Sequence, residues 1–274
     1  MQDFEAVIID DGSIDASYTN ALKAIDTDKR FRVIHQSNKG VSSARNQGVK
    51  CAKYEYISFL DADDIWENTY LEEVVKMIQS YPHAGIYGIG WNFMYNYERK
   101  KIIDDVYRYQ VINGDWESGI SFFTSSTTTT TKRVLNNVGL FNENVSIGED
   151  VEMWCRILLK YTGVFYNKPL AYYVQDSENR LYQKHVPIER NWVNYMDQYK
   201  EERINNTLFR SYIDKLMAAE LIKYLDSPEY KVNDNLRSRV KYLKNELDFQ
   251  VLPYLTRMRL RMPWLFRLKK RLFT

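Results

Sequence analysis

The sequence predicts an α/β domain over residues 1–175, followed by a helical region over 176–274. Three observations carry this. Short β-branched apolar runs alternate with segments of helical periodicity through the first 80 residues. Two of those runs end in carboxylate clusters, Asp10-Asp11-Gly12-Ser13 and Asp61-Ala62-Asp63-Asp64. Beyond residue 176 the strand-like runs stop, and long charged, aromatic-rich segments take over. Strands alternating with helices build a doubly wound sheet, and ligands bind beyond the carboxyl ends of its strands.

Residues 4–9 are a β-branched apolar run that ends in an Asp-Gly turn, the pattern of a buried strand. Ser13 or Asp15 can cap a helix over 15–27. Residues 31–35 read as a second strand, and the Asn38-Lys39-Gly40 turn opens a helix from 41. The small stripe of that helix, Val41, Ala44, Gly48 and Cys51, predicts close packing on a sheet. A third strand covers 56–60. The next helix shows Leu71, Val74, Val75 and Ile78 at i, i+3, i+4 and i+7. Residues 84–112 turn strand-like and aromatic, and the Ser/Thr run 125–131 reads as a strand of the same region. Glu149-Asp150 opens a helix with Val151, Trp154 and Leu158 on one face, and 172–174 is a last strand. Helices are expected over 187–204, 206–226 and 231–249, with breaks at Ser227-Pro228 and Pro253.

Composition bounds the function. Hydrophobic residues at 45% and charged residues at 27% suit a globular protein with a real core. A net charge of +2 gives no argument for nucleic acid. The 22 Tyr suit an aromatic core first and sugar stacking second. Cys51 and Cys155 make neither a disulfide framework nor a zinc signature, so a reducing compartment is expected. No signal peptide is visible, and no run reaches the roughly 20 apolar residues of a transmembrane helix.

Four constellations bear chemistry, and each has a plainer reading. Asp61-x-Asp63 after a strand can turn two carboxylates toward one hard cation, or be an acidic loop that caps a helix. Asp10-Asp11-Gly12-Ser13 can accept hydrogen bonds from a base or ribose, or be an ordinary Asx turn. In the run from Asn38 to Gly48, a helix N-terminus favours anions and Arg45 lies one turn in; the plainer reading is a capped helix with a solvated Arg. Gly148-Glu149-Asp150 puts Asp150 at a helix N-terminus, where the dipole favours the ionised carboxylate that a base needs. There the alternative is a plain N-cap, with Glu152 and Arg156 a surface pair.

Taken together and in this order, the residues resemble family 2 of the glycosyltransferases. The resemblance rests on residues 4–15, on Asn38 to Asn46, on Phe59-Leu60-Asp61-Ala62-Asp63-Asp64, on Gly139-Leu140-Phe141-Asn142-Glu143, and on Gly148 to Trp154, and it covers residues 3–175. It implies the GT-A fold, a Rossmann-like nucleotide-diphospho-sugar transferase domain, here with a helical C-terminal appendage. It implies that Asp11, Asn38, Arg45 and Asp61 bind the nucleotide sugar, and that Asp63 holds Mg²⁺ or Mn²⁺. Asp150, with Glu149 beside it, is then the catalytic base. The reaction implied is inverting transfer from a nucleotide-diphosphate sugar, a UDP-sugar by preference, to a hydroxyl of a glycan or lipid-linked acceptor in cell-surface polysaccharide synthesis.

Family members open with a further strand, a Pro-x-Tyr-Asn-like turn and a helix before the run matching Asp3 to Ile9. The resemblance therefore implies a chain that starts inside the domain. Two other readings follow: a non-catalytic member acting as scaffold or partner, and a nucleotidyltransferase, against which the Glu149-Asp150 helix speaks. Many members also place a His near the metal after the last strand, and His185 is the candidate here. Residues 251–274 mix apolar side chains with seven cations and no Asp or Glu, which predicts a segment that binds anionic membrane surfaces. A cytoplasmic location, peripheral to the membrane, fits this tail.

Overall fold

The computed structural model describes residues 3–95, 98–99, 107–114, 116, 123–175 and 186–263. The chain divides into two compact units, Met1–His185 and Val186–Thr274.

In the first unit, β1 (Ala6–Asp11) and β2 (Phe31–Gln36) form a two-stranded parallel sheet, with Ala6 opposite Phe31 and Asp11 opposite Gln36. α1 (Ser17–Ile25) connects them, and α2 (Val41–Cys51) follows. Ala6 to Ile9 are only half-buried, and α1 buries no side chain. A separate seven-stranded sheet runs β3 (Tyr56–Ser58), β8 (Thr128–Thr131), β5 (Ile86–Tyr95), β9 (Gly163–Val174), β4 (Ile65–Trp66), with β6 (Glu98–Arg99) on β5 and β7 (Tyr109–Ile112) on β9. The single doubly wound sheet expected from the alternation is thus two sheets. In the larger one β5 and β9 run parallel and the other pairs antiparallel. Apolar periodicity locates strands, but it does not say which neighbours pair or in which direction.

α3 (Tyr70–Ser80) lies on this sheet, with Tyr70, Val74 and Met77 packed against Tyr87, Ile89, Val164 and Ala171. Leu71 and Ile78 flank that face, so the buried stripe is rotated slightly from the predicted one. Each such apolar side chain contributes about 1.5–3 kcal/mol by leaving water. The Ser/Thr run is a strand only over Thr128–Thr131, after a 3-10 turn at Ser125–Thr127. The Thr131 hydroxyl accepts the Val134 N–H (3.1 Å) and so caps α4 (Lys132–Val138). α5 (Glu149–Leu158) buries Met153, Trp154, Cys155 and Ile157. Trp154 packs with Phe59 and Phe141, ring centroids 5.9–6.2 Å away. Gly148 starts α5 from a left-handed φ of 73°, which a side chain would strain.

The second unit is helical. Two 3-10 segments, Ile188–Arg190 and Trp192–Tyr199, precede α6 (Lys200–Asn205), α7 (Thr207–Asp226), α8 (Asp234–Asn245) and α9 (Tyr254–Arg261). The helix expected over 187–204 is mostly 3-10: Asn191 caps a piece within the run, and Asn206 caps the helix that follows it. Their side chains accept the N–H groups of Val193 and Phe209. Among the described residues, no helix is long and apolar enough to cross a membrane.

Candidate active site

The carboxyl end of β1 meets the start of α2. Asp11 Oδ1 accepts the Gln36 amide (2.7 Å) and the Lys39 N–H (2.9 Å), and Oδ2 accepts the Gly40 N–H (2.8 Å). Gly12 has φ 75°, and a Cβ there would stand 2.7 Å from the Asn38 nitrogen. The two turns predicted separately are therefore one structure. Three donors on a carboxylate with about four lone-pair sites leave one place for a ligand. Asn38 lies exposed beside it.

α2 is held from its other face. Ser42 Oγ donates to the Val145 carbonyl (3.0 Å). Asn46 Nδ2 donates to the Phe141 carbonyl, and Asn46 Oδ1 accepts the Phe141 N–H, both at 2.9 Å. The buried residues of α2 are Ser42, Ser43, Asn46 and Val49, which corrects the predicted stripe of Val41, Ala44, Gly48 and Cys51. Those four are half-buried. A buried face made of hydrogen-bonding residues escapes a search for apolar periodicity.

Arg45 joins the remaining parts. Its Nη2 donates to Asp61 Oδ1 at 2.7 Å and its Nη1 to Glu149 Oε1 at 2.6 Å. The Arg45 side chain is 9% exposed and its guanidinium lies over the Phe141 ring. Burial opposes its charge, but Asp61 and Glu149 more than offset this and hold its pKa above the ordinary value. Residues far apart in sequence thus converge on one cation.

Ser126 organises the acidic loop. Its Oγ accepts the Asp61 N–H (3.0 Å) and donates to Asp64 Oδ2 (2.5 Å), and its carbonyl accepts Trp66 Nε1 (2.6 Å). Asp64 Oδ1 also accepts the Val174 N–H (3.3 Å). Burial pushes the Asp64 carboxyl up to about 6 against the pull of Ser126. Asp63 is exposed, and the Asp61 side chain is 36% exposed. Among the described residues no group of three or more His, Cys, Asp or Glu is arranged around a metal position. Two accessible carboxylates fit a cation that takes few protein ligands and fills its shell from phosphate and water.

Glu149 and Asp150 head α5. Burial, then Asp150 beside it, raise the Glu149 carboxyl to about 7, against Arg45. Burial also raises Asp150, while Arg45 and the Val151 N–H (2.7 Å from Oδ1) pull it down. The helix dipole was expected to favour the ionised form; loss of water outweighs it here. Glu152 and Arg156 are not the surface pair of the plainer reading. Glu152 is 1% exposed, and Arg156 binds it at 2.8 Å while donating to the carbonyls of Val138, Gly139 and Leu140. That strut fixes the segment after α4 on α5.

Residues 1–139, just over half the chain, match the family described as Glycosyl transferase family 2. The chain belongs to this family. It is 42% identical over 76 residues to the putative glycosyltransferase EpsH of Bacillus subtilis, covering 28% of this chain and 22% of that protein. It is 29% identical over 184 residues to the glycosyltransferase GlyG of Streptococcus pneumoniae, covering 63% of this chain and 61% of that one. Less than two thirds of either relative is thus spanned. Among solved structures, S. aureus TarS 1–349 in complex with UDP-GlcNAc superposes with a TM-score of 0.69 at 18% identity, over 94% of this chain and 78% of that one. This likeness shows the GT-A fold.

Of the residues predicted, Arg45, Asp61 and Glu149 are joined directly, with Asp150 next to Glu149 and Asp63 on the same loop as Asp61. Asp11 and Asn38 come together at the head of α2. Sequence reasoning missed Ser126, hidden in a run that signalled only strand, and quoted Phe141 in a motif without placing it under Arg45. Asp64 stood in the quoted acidic run but was given no role. His185 and residues 264–274 lie outside the described residues.

Proposed function

We propose that the protein transfers a sugar from a nucleotide-diphosphate sugar, a UDP-sugar in the first instance, to a hydroxyl of a glycan or lipid-linked acceptor, with inversion. The observation that carries this is the Arg45 bridge between Asp61 of the acidic loop and Glu149 beside Asp150. It brings Asp61 and Glu149 to one cation, which supports a single displacement, where donor and acceptor must meet. TarS, of the same fold, is known in complex with UDP-GlcNAc.

In this reading Asp11, Asn38, Arg45 and Asp61 bind the nucleotide and its diphosphate. Asp63, with Asp61, would hold Mg²⁺ or Mn²⁺, which neutralises charge on the leaving diphosphate. Asp150 accepts the proton of the acceptor hydroxyl as its oxygen attacks the anomeric carbon and the bond to the diphosphate breaks. Glu149, tied to Arg45, keeps Asp150 in place. The apolar and basic tail 251–274 supports a place at the cytoplasmic membrane surface, where lipid-linked acceptors lie.

The test is nucleoside diphosphate release from a set of UDP-sugars by the parent chain, Asp63→Ala and Asp150→Asn. Asp63→Ala is expected to lose donor hydrolysis and its dependence on added Mn²⁺. Asp150→Asn is expected to lose transfer while still binding UDP. Unchanged activity in both variants would end these assignments.

A further inference from the structure

Beyond the rim of the acidic loop, one face of the larger sheet is aromatic. On β5 the side chains of Trp91, Phe93 and Tyr95 alternate onto it. The register puts Ala171 and Tyr173 of β9 beside Trp91 and Phe93, and Trp66 of β4 beside Ala171. The rings touch as a set: Trp91–Phe93 centroids are 4.9 Å apart, Phe93–Tyr173 6.2 Å and Phe93–Tyr95 6.3 Å. α3 covers the lower part of this face, where Trp66 stacks flat on Tyr70 (4.0 Å, 4°) and Trp91 borders the core. The upper part is open, with Phe93 41% and Tyr95 47% exposed. The opposite face of the same strands is closed by Met94, Tyr172 and Val174.

The floor is joined to the acidic loop. Trp66 donates to the Ser126 carbonyl, and Ser126 Oγ holds both Asp61 and Asp64. Asp64 precedes the β4 residue paired with Tyr172, and its carboxylate takes the Val174 N–H. At a strand spacing of ~4.8 Å, the Phe93 backbone stands about 10 Å from that of Asp64, two strands away. That is the reach of one or two sugar rings.

We propose that Trp91, Phe93, Tyr95 and Tyr173 form a carbohydrate-stacking floor, which holds a pyranose of the acceptor one or two residues from the transferred sugar. This rests on the glycosyltransferase reading above. A flat strand surface of exposed rings matches the C–H faces of a pyranose. Tyr hydroxyls at its margin suit sugar hydroxyls. Its exposed large hydrophobics are rings. It continues directly from the loop assigned to the donor.

The test uses the full chain and a Phe93→Ser/Tyr95→Ser variant, both positions exposed enough to change without opening the core. Binding of cellotriose, triacetylchitotriose and maltotriose is read by saturation-transfer NMR, alongside UDP-sugar hydrolysis and size-exclusion chromatography. At least one trisaccharide is expected to bind the parent chain, and to bind the variant about tenfold more weakly. Donor hydrolysis and elution volume should not change. The floor is overturned if none of the three binds, if binding is equal in both proteins, or if the variant changes oligomeric state, which would make the face a protein interface. If donor hydrolysis is absent from the parent chain while trisaccharide binding follows the variant, the floor stands and the catalytic reading falls.

Discussion

Each unit of the protein contains a buried arginine held by carboxylate, and the two differ in what they leave over. In the helical unit, Arg203 Nε and Nη2 both donate to Asp214 Oδ1 (3.1 and 2.7 Å), and Nη2 also reaches the Glu246 carbonyl. Asp214 Oδ2 takes the Asp248 N–H, and Asp214 is wholly buried. Both oxygens of Asp214 have donors, and the node ties α6, α7 and the segment after α8 together. Arg45 is buried to a similar degree, but it bridges two carboxylates that belong to an exposed loop and to a helix head. Around it stand Asp63, open to solvent, and Asp150, whose charged form is disfavoured by burial. A node whose carboxylate oxygens all have donors stabilises a fold, whereas one that joins an exposed loop to a helix head is where a ligand can approach a carboxylate.

The largest effect that sharpens this contrast is expected at Asp150. Asp150→Asn should lower sugar transfer about 10³-fold with an unchanged melting temperature, since loss of a positioned base costs 10²–10⁴-fold. Next is Arg203→Met, which leaves the buried Asp214 carboxylate with the Asp248 N–H and the more distant Arg210 Nε (3.8 Å); urea unfolding should show a loss of about 3 kcal/mol. Burial already raises Asp214. Without Arg203 its pKa rises further, and a raised carboxyl contributes stability at low pH that is lost as pH climbs through its folded value. The deficit of Arg203→Met should therefore shrink in acid; a deficit independent of pH would show that Asp214 does not carry it. Ser126→Ala should cost about 1 kcal/mol of stability, and raise the Mn²⁺ concentration for half-maximal hydrolysis, because the acidic loop loses its tether. A purely structural serine would leave the metal requirement alone.

The pH profile separates the two nodes as well. Burial raises both Glu149 and Asp150, and a base must be deprotonated to act. Transfer should thus rise with pH through a midpoint above the ordinary carboxylate range and level off beyond it. Glu149→Gln removes the neighbouring charge and should move that midpoint down. A midpoint near 4 in the parent chain would show that the pair is not buried as described.

Much of this was readable before the structure. Asp11, Arg45, Asp61 and Glu149-Asp150 each follow a strand or open a helix, where turn chemistry leaves a strong local mark. The resemblance rests on all four occurring in order, and in the structure Arg45 joins Asp61 and Glu149. What was not readable depends on partners distant in sequence. Ser42 and Asn46 are polar and buried because they bind the backbone of Phe141 and Val145. Ser126 matters because of residues more than 60 positions away. The split into two sheets, and the direction in which β8 pairs with β3 and β5, are settled by long-range pairing that periodicity does not encode.

The most direct measurement sets Arg45→Met beside Arg203→Met, with unfolding free energy and UDP-sugar turnover per folded molecule read on both. Arg45→Met is expected to lose turnover about 100-fold and less than about 2 kcal/mol of stability, because Glu149 can take up a proton. Arg203→Met should lose about 3 kcal/mol and keep its turnover. The opposite pattern, a destabilised but active Arg45→Met beside a stable but inactive Arg203→Met, would contradict the placing of catalysis at the Arg45 node.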